Sequence, residues 1–219
     1  MNRLTLVIGN KNYSSWSLRP WLVLRHLDIP FDEVRVPLYR PDSAAALASL
    51  SPSGLVPVLH DGDMRVWDSL AICEYLNERF PEHRLWPESP EARAVARSVS
   101  AEMHSGFTGL RHTMSMNIRG HYPGRGRTPQ SLRDITRILA IWNDCRGRFG
   151  AGGAFLFGRF TIADAMYAPV VLRFGTYVVA LDGAVQDYAN AIVALPALRE
   201  WIADAKAETE RIEKFEMYE

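Results

Sequence analysis

Cysteine is scarce in this chain: two in 219 residues, Cys73 and Cys145, far apart and each within a helical pattern. That excludes a disulfide framework and leaves buried free thiols as the expectation. Metal-ligand spacing is missing too, the six histidines being scattered. No sign of charge is in surplus, since Lys+Arg and Asp+Glu stand at 25 each, so no global field would gather nucleic acid or anionic lipid. No apolar run approaches transmembrane length, and the opening MNRLTLVIGN is too short and too strand-like for a secretory leader. The expectation is a cytoplasmic protein with no metal, no nucleic-acid partner and no membrane partner.

What the chain does have is apolar bulk, 47% of its residues, with six tryptophans to place in a core or along a cleft. Leu4, Leu6 and Ile8 mark a first strand across residues 3–9, and a loop leads to a helix read over 18–27, with Pro20 placed in its first turn. A strand at 31–36, an Ala-rich helix at 43–50, a hairpin and a further helix complete the order βαβαββα over residues 1–82. That is the order of a thioredoxin-like fold. Residues 83–90, with Pro87 and Pro90 and no periodicity, read as a linker. Residues 91–219 are helical throughout, with helices expected at 91–117, 129–149, 162–181 and 196–215. The class is therefore α+β followed by an all-α bundle.

The most informative stretch is residues 54–77, GLVPVLHDGDMRVWDSLAICEYLN. Asp61-Gly62 is a tight hairpin signal. At Asp68-Ser69 the apolar period changes from that of a strand to that of a helix, which creates an anion-binding candidate at the helix start. Pro57 cannot donate to a sheet ladder, so Val56-Pro57 implies either an edge strand or a local geometry that frees the Val56 backbone for an extended peptide-like ligand. Asp68 and Ser69 serve equally as plain helix caps. Further on, Thr161-Ile162-Ala163-Asp164 reads as a variant capping box opening a buried helix, structural in role. The Arg119, Arg125 and Arg127 loop, rich in glycine, reads as a solvated connection or as an anion-binding lid.

Taken together, Val56-Pro57, the hairpin, the acidic-Ser pair and the T-x-A-D box resemble glutathione S-transferases. The resemblance implies that Val56 pairs with the cysteinyl part of glutathione, that Asp68 and Ser69 hold its γ-glutamyl end, and that the Val56-Pro57 bond is cis. Arg40 is a candidate for the glycyl carboxylate, or else an exposed loop arginine. The segment Ser14-Ser15-Trp16-Ser17-Leu18-Arg19 resembles the thiol-activating segment of the zeta class, which includes maleylacetoacetate isomerase. Carried over, Ser14 falls on the catalytic serine and Ser15 on its neighbour, with Tyr13 ranked third. A serine hydroxyl can donate to the glutathione sulfur and raise its thiolate fraction without itself ionising, while the same serines suit helix N-capping. Trp16 stands where that class has cysteine, and Leu55 where the family often has a polar or basic residue.

For a second substrate the candidates are Tyr13, Trp16, His104, Phe107, Arg111, Met114 and Arg173, with Met116 beside them. A Met and aromatic stripe fits a core equally well. The zeta-class arginine that grips a substrate carboxylate maps nearer Thr176 than Arg173. The resemblance thus implies a homodimeric, cytoplasmic glutathione transferase that conjugates glutathione, as co-substrate, to a small electrophilic or hydrophobic substrate in detoxification. A glutathione-dependent isomerase or dehalogenase, or a non-catalytic scaffold, are the rival readings. A dithiol redox enzyme does not fit, because no cysteine stands at the first helix start.

Overall fold

A computed structural model describes residues 3–218. Its first half is a four-stranded sheet in the order β2-β1-β3-β4, from β1 (Leu4–Ile8), β2 (Phe31–Arg35), β3 (Val58–Asp61) and β4 (Met64–Trp67). β1 pairs parallel with β2 (Leu6 opposite Glu33) and antiparallel with β3 (Leu6 opposite Leu59). A parallel neighbour requires a crossover, which α1 (Ser15–His26) supplies, whereas β3 and β4 need only the Asp61-Gly62 turn. α2 (Ser43–Leu50) and α3 (Ser69–Arg79) complete the unit. Leu6, Val7, Ile8, Val58 and Leu59 are fully buried, so both faces of the central strands are covered.

The remainder is helical: α4 (Pro90–Ser105), α5 (Thr108–Thr113), α6 (Pro129–Phe149), α7 (Ile162–Tyr177), α8 (Gly183–Ala194) and α9 (Pro196–Ala207). α7 is the axis of this half, with 15 of its 16 residues buried, and it packs on α1, α4 and α8. Asp164 anchors its start. One carboxylate oxygen accepts from the Thr161 N–H at 2.7 Å and the Thr161 hydroxyl at 2.9 Å, and the other from the Leu156 N–H at 3.0 Å. Burial pushes this carboxyl up to about 6. Cys73 and Cys145 are free and buried, and burial pushes both thiols up to about 12. No helix among the described residues is long and apolar enough to cross a membrane.

Several element boundaries differ from the sequence reading. α1 begins at Ser15, so Pro20 is its sixth residue rather than a first-turn residue; three polar serines hid the first turn. The helix expected at 91–117 breaks at Gly106-Phe107, where a Cβ on Gly106 would come within 2.8 Å of the Glu102 carbonyl and Phe107 takes a left-handed φ of 59°. α8 was not anticipated as a separate helix. The last helix ends at Ala207 rather than near 215, because Glu208 turns inward onto the backbone of Lys11 and Asn12, and only a short 3-10 turn remains at Glu213–Phe215.

Candidate functional site

A cleft of about 760 Å³ opens between the sheet half and the helical half, within the range of ligand sites. Its floor is built by chain reversals that place polar atoms where no ladder consumes them. The Val56-Pro57 bond is cis, and the β1–β3 ladder begins at Val58, so Val56 lies outside it. Gly54, Val56 and Pro57 form one wall. Opposite stands the start of α3. Asp68 caps it, one oxygen accepting from the Leu70 N–H at 2.9 Å and the Ala71 N–H at 3.2 Å. Asp68 adopts φ 74°, a conformation costly for a side chain, and Ser69 is buried beside it. The other Asp68 oxygen lies 3.0 Å from His104 Nε2.

The start of α1 closes the inner end. Ser14 is the N-cap, its hydroxyl donating to Ser17 Oγ at 2.7 Å and accepting the Ser17 N–H at 3.4 Å. Ser17 Oγ in turn accepts the Gly9 N–H at 3.1 Å. Ser15 Oγ accepts from Arg173 Nη2 at 3.3 Å. Tyr13 is committed elsewhere: its hydroxyl donates to Glu216 and accepts from Arg119 Nη2 at 2.9 Å and the Ile212 N–H at 3.4 Å. Burial, then Glu216, raises its pKa, so it supplies no phenolate.

Three arginines surround this end, and their partners are hydroxyls and backbone carbonyls. Arg19 donates to Ser69 Oγ at 3.1 Å; Arg173 to the Met114 carbonyl at 3.0 Å and to Ser15; Arg111 to the carbonyls of Met103, Gly106 and His104. Arg19 and Arg111 lie over the Trp16 ring at 4.3 and 4.8 Å. Burial, then mutual repulsion, lowers Arg19 and Arg173 to about 9 each. The cleft therefore concentrates positive potential beside the serines, which favours an anion there.

Of the residues singled out from the sequence, the structure brings Tyr13, Ser14, Ser15, Trp16, Arg40, Val56, Pro57, Asp68, Ser69, Arg111, Met116 and Arg173 to this one cleft. It places three others apart. Met114 is fully buried and offers only its carbonyl, to Arg173; Phe107 is buried at the α4–α5 break; His104 faces Asp68, with its ring edge on Trp16 at 5.2 Å. Burial, with Asp68 pulling the other way and Arg19 and Arg111 adding to it, lowers the His104 pKa. Thr176, where the zeta-class arginine maps, is buried and donates to the Asn117 carbonyl at 2.9 Å. Arg119 ties the tail and the Tyr13 hydroxyl rather than serving an open lid. Tyr39, Trp67, Ser115 and Phe215 line the cleft without having been foreseen. Trp67, at the strand end just before Asp68, carried a usable signal; Phe215, brought in from the far end of the chain, carried none.

Residues 13–79 match the family model described as glutathione S-transferase, N-terminal domain, and residues 125–204 match that for the C-terminal domain. The chain belongs to the glutathione S-transferase family. Glutathione S-transferase GstB of Escherichia coli (strain K12) is 28% identical over 176 residues, covering 76% of this chain and 81% of that protein. A probable maleylacetoacetate isomerase of Caenorhabditis elegans is 26% identical over 161 residues, 72% of each chain. A glutathione transferase homolog from Burkholderia, solved with bound glutathione, superposes with a TM-score of 0.72 at 21% identity, over 94% of this chain and 100% of that one. For the glutathione S-transferase chain described here, that superposition supports the fold alone.

Proposed function

We propose that the protein is a cytoplasmic glutathione transferase, divided into residues 1–82, a linker at 83–90 and residues 91–219. Glutathione lies along the cleft floor, its cysteinyl part against the free Val56 backbone. Its γ-glutamyl carboxylate meets the start of α3 at Ser69, and its ammonium meets the Asp68 carboxylate. Arg40 serves the glycyl carboxylate. The observation that carries the reading is the convergence of three separately folded features on one cleft: the Val56-Pro57 turn, the Asp68-Ser69 helix start and the Ser14 helix start.

The sulfur then faces Ser14. The Ser14 hydrogen points at Ser17 in the structure, and one rotation redirects it to the sulfur while the Ser17 hydroxyl donates to Ser14 Oγ in its place. A hydroxyl that accepts a bond is a stronger donor, and the α1 N-terminus with Ser15 and Arg173 adds positive potential. The thiol releases its proton to solvent. The thiolate attacks an electrophilic carbon, forming the C–S bond as the leaving group departs with its electron pair; at an activated alkene the C=C π pair instead moves onto the activating group, and the resulting anion takes a proton from solvent.

A second reading is favoured by one observation: Arg111 and Arg173 line the cleft and, among the described residues, have no carboxylate hydrogen-bond partner. An acidic co-substrate would complete them. With it, addition of the thiolate to a conjugated cis double bond, rotation and elimination return the glutathione, which is isomerase chemistry. The deciding experiment measures glutathione binding by calorimetry and follows its consumption with an aryl halide and with a cis-enoyl diacid. Conjugate formation supports the transferase; trans product with glutathione unconsumed supports the isomerase; no glutathione binding refutes both and favours a scaffold.

A further inference from the structure

The loop that delivers Ser14, residues 10–13, is held by the far end of the chain. Glu208 accepts the Lys11 N–H at 2.7 Å on one carboxylate oxygen and the Asn12 N–H at 3.0 Å on the other. The Lys11 ammonium donates to Asp204 at 2.7 Å and sits over the rings of Trp21 and Trp201, and Trp201 Nε1 donates to the Lys11 carbonyl at 3.0 Å. Glu216 accepts the Tyr13 hydroxyl on one oxygen, and the Asn117 side-chain amide at 2.7 Å on the other. Three consecutive residues before Ser14 are thus fixed by three carboxylates about 200 positions away, two of which, Glu208 and Glu216, are 7% and 8% exposed.

A carboxylate taken from water costs free energy unless its oxygens are fully used; Glu208 turns both toward two adjacent backbone amides of a short loop, and one of them also accepts from Arg35 Nη1 at 3.4 Å. The loop's own backbone bonds are few: Tyr13 N–H and Ser14 N–H to the Asn10 carbonyl at 3.2 and 2.8 Å, and Ser15 N–H to the Tyr13 carbonyl at 3.0 Å. The Asn12 side chain continues the brace, donating to Asn117 Oδ1 and accepting the Arg119 N–H, each at 2.9 Å. Arg119 donates to the tail carbonyls of Glu208 and Glu210. The loop, the segment after α5 and the tail form one closed hydrogen-bonded ring.

We infer that Glu208 and Glu216 are positioning residues for thiol activation: the C-terminal tail sets the height and direction of Ser14 at the head of α1 without touching the reacting atoms. The inference rests on the proposed role of Ser14. Loss of one carboxylate frees three donors, Lys11 N–H, Asn12 N–H and Arg35 at Glu208 or Tyr13, Asn117 and Tyr122 at Glu216; the loop relaxes, and the Ser14 hydroxyl moves off the sulfur while the glutathione floor at Val56 and Asp68 stays intact. An ångström of misplacement costs on the order of 100-fold in rate.

The test compares wild type, Glu208→Ala, Glu208→Gln, Glu216→Gln, Ser14→Ala and the Ser14→Ala/Glu208→Ala double variant. Its readouts are kcat, glutathione affinity and the pKa of the bound thiol, with a thermal melt for each variant. Glu208→Ala should lower kcat roughly 10- to 100-fold with glutathione affinity within about threefold, and should raise the bound-thiol pKa by about one. Glu208→Gln, which keeps one acceptor oxygen and the side-chain volume, should fall between the two and serves if the alanine variant does not fold. In the double variant the losses should not multiply, because both act through one group. Variants that melt lower but keep wild-type kcat and thiol pKa, or losses that multiply, overturn the inference. Should Ser14→Ala itself leave the thiol pKa unchanged, the reading of Ser14 falls and this inference with it. Should Ser14→Ala raise it while the Glu208 variants do not, only this inference falls.

Discussion

Asp68 is where fold and binding can be pulled apart by one substitution. It caps α3 through one oxygen and, on the proposed reading, meets the glutathione ammonium with its charge. Asp68→Asn keeps an acceptor oxygen for the Leu70 and Ala71 amides and the same side-chain shape at φ 74°, so the backbone there is strained to the same extent in both. Stability should change by less than about 0.5 kcal/mol. Binding should change more. A hydrogen bond to a charged partner contributes about 1.5–3 kcal/mol, and because the Asp68 side chain is 41% exposed the lower part of that range applies, about 1.5–2 kcal/mol. That is a roughly 10- to 30-fold rise in the glutathione dissociation constant. Asp68→Ala should show the same binding loss plus about 1 kcal/mol of instability from the lost cap. Calorimetric titration and thermal melts on the three proteins suffice. An Asn variant that binds glutathione within twofold of wild type would refute the assignment of the ammonium to this carboxylate.

Other consequences follow from the same geometry. Asp164→Ala orphans the buried Leu156 and Thr161 amides, at about 1–3 kcal/mol each, and urea melts should show a loss of at least about 2 kcal/mol. The carboxyl of Asp164 is raised by burial to about 6, from 3.8, so its contribution is fully present below pH 3.8 and is lost as pH rises through 6. The stability advantage of wild type over Asp164→Asn should therefore grow by roughly 1 kcal/mol from pH 7 to pH 5, and a pH-independent difference would contradict this. Trp16→Ala removes the ring between Arg19 and Arg111, at about 0.5–2 kcal/mol per contact, and should lower the melting point and loosen the cleft end; an unchanged melt would mean that neither contact stabilises.

What could be read from the chain was local. The Asp61-Gly62 turn, the proline after Val56, the acidic-Ser helix start and the Thr161–Asp164 pair each announce themselves within four residues, because short-range backbone chemistry dictates them. The serines at the head of α1 were singled out by their resemblance to the zeta-class segment, while the helix start they form was missed. What was missed depends on distant partners. Gly106-Phe107 ends α4 through a close backbone approach rather than a helix-breaking pair of residues. Residues 208–215 carry a helical pattern yet leave the helix, since Glu208 is drawn onto the Lys11 and Asn12 amides. Phe107 and Met114 read as cleft residues because an apolar stripe does not say which face it covers. His104 was legible as a cleft candidate, but not as the neighbour of Asp68, because that pairing joins α4 to the start of α3.

The central claim is that a serine hydroxyl at the head of α1 holds the glutathione sulfur as thiolate. Its most direct measurement is the ultraviolet thiolate signal of bound glutathione against pH, on wild type and Ser14→Ala. A hydrogen bond to a charged acceptor, at about 1.5–3 kcal/mol, corresponds to about one to two pKa units. The account predicts a bound thiol lowered by that much in wild type and returned toward its free value in Ser14→Ala, with glutathione still bound. A bound thiol with an unshifted pKa in wild type, or one equally lowered in Ser14→Ala, would contradict it.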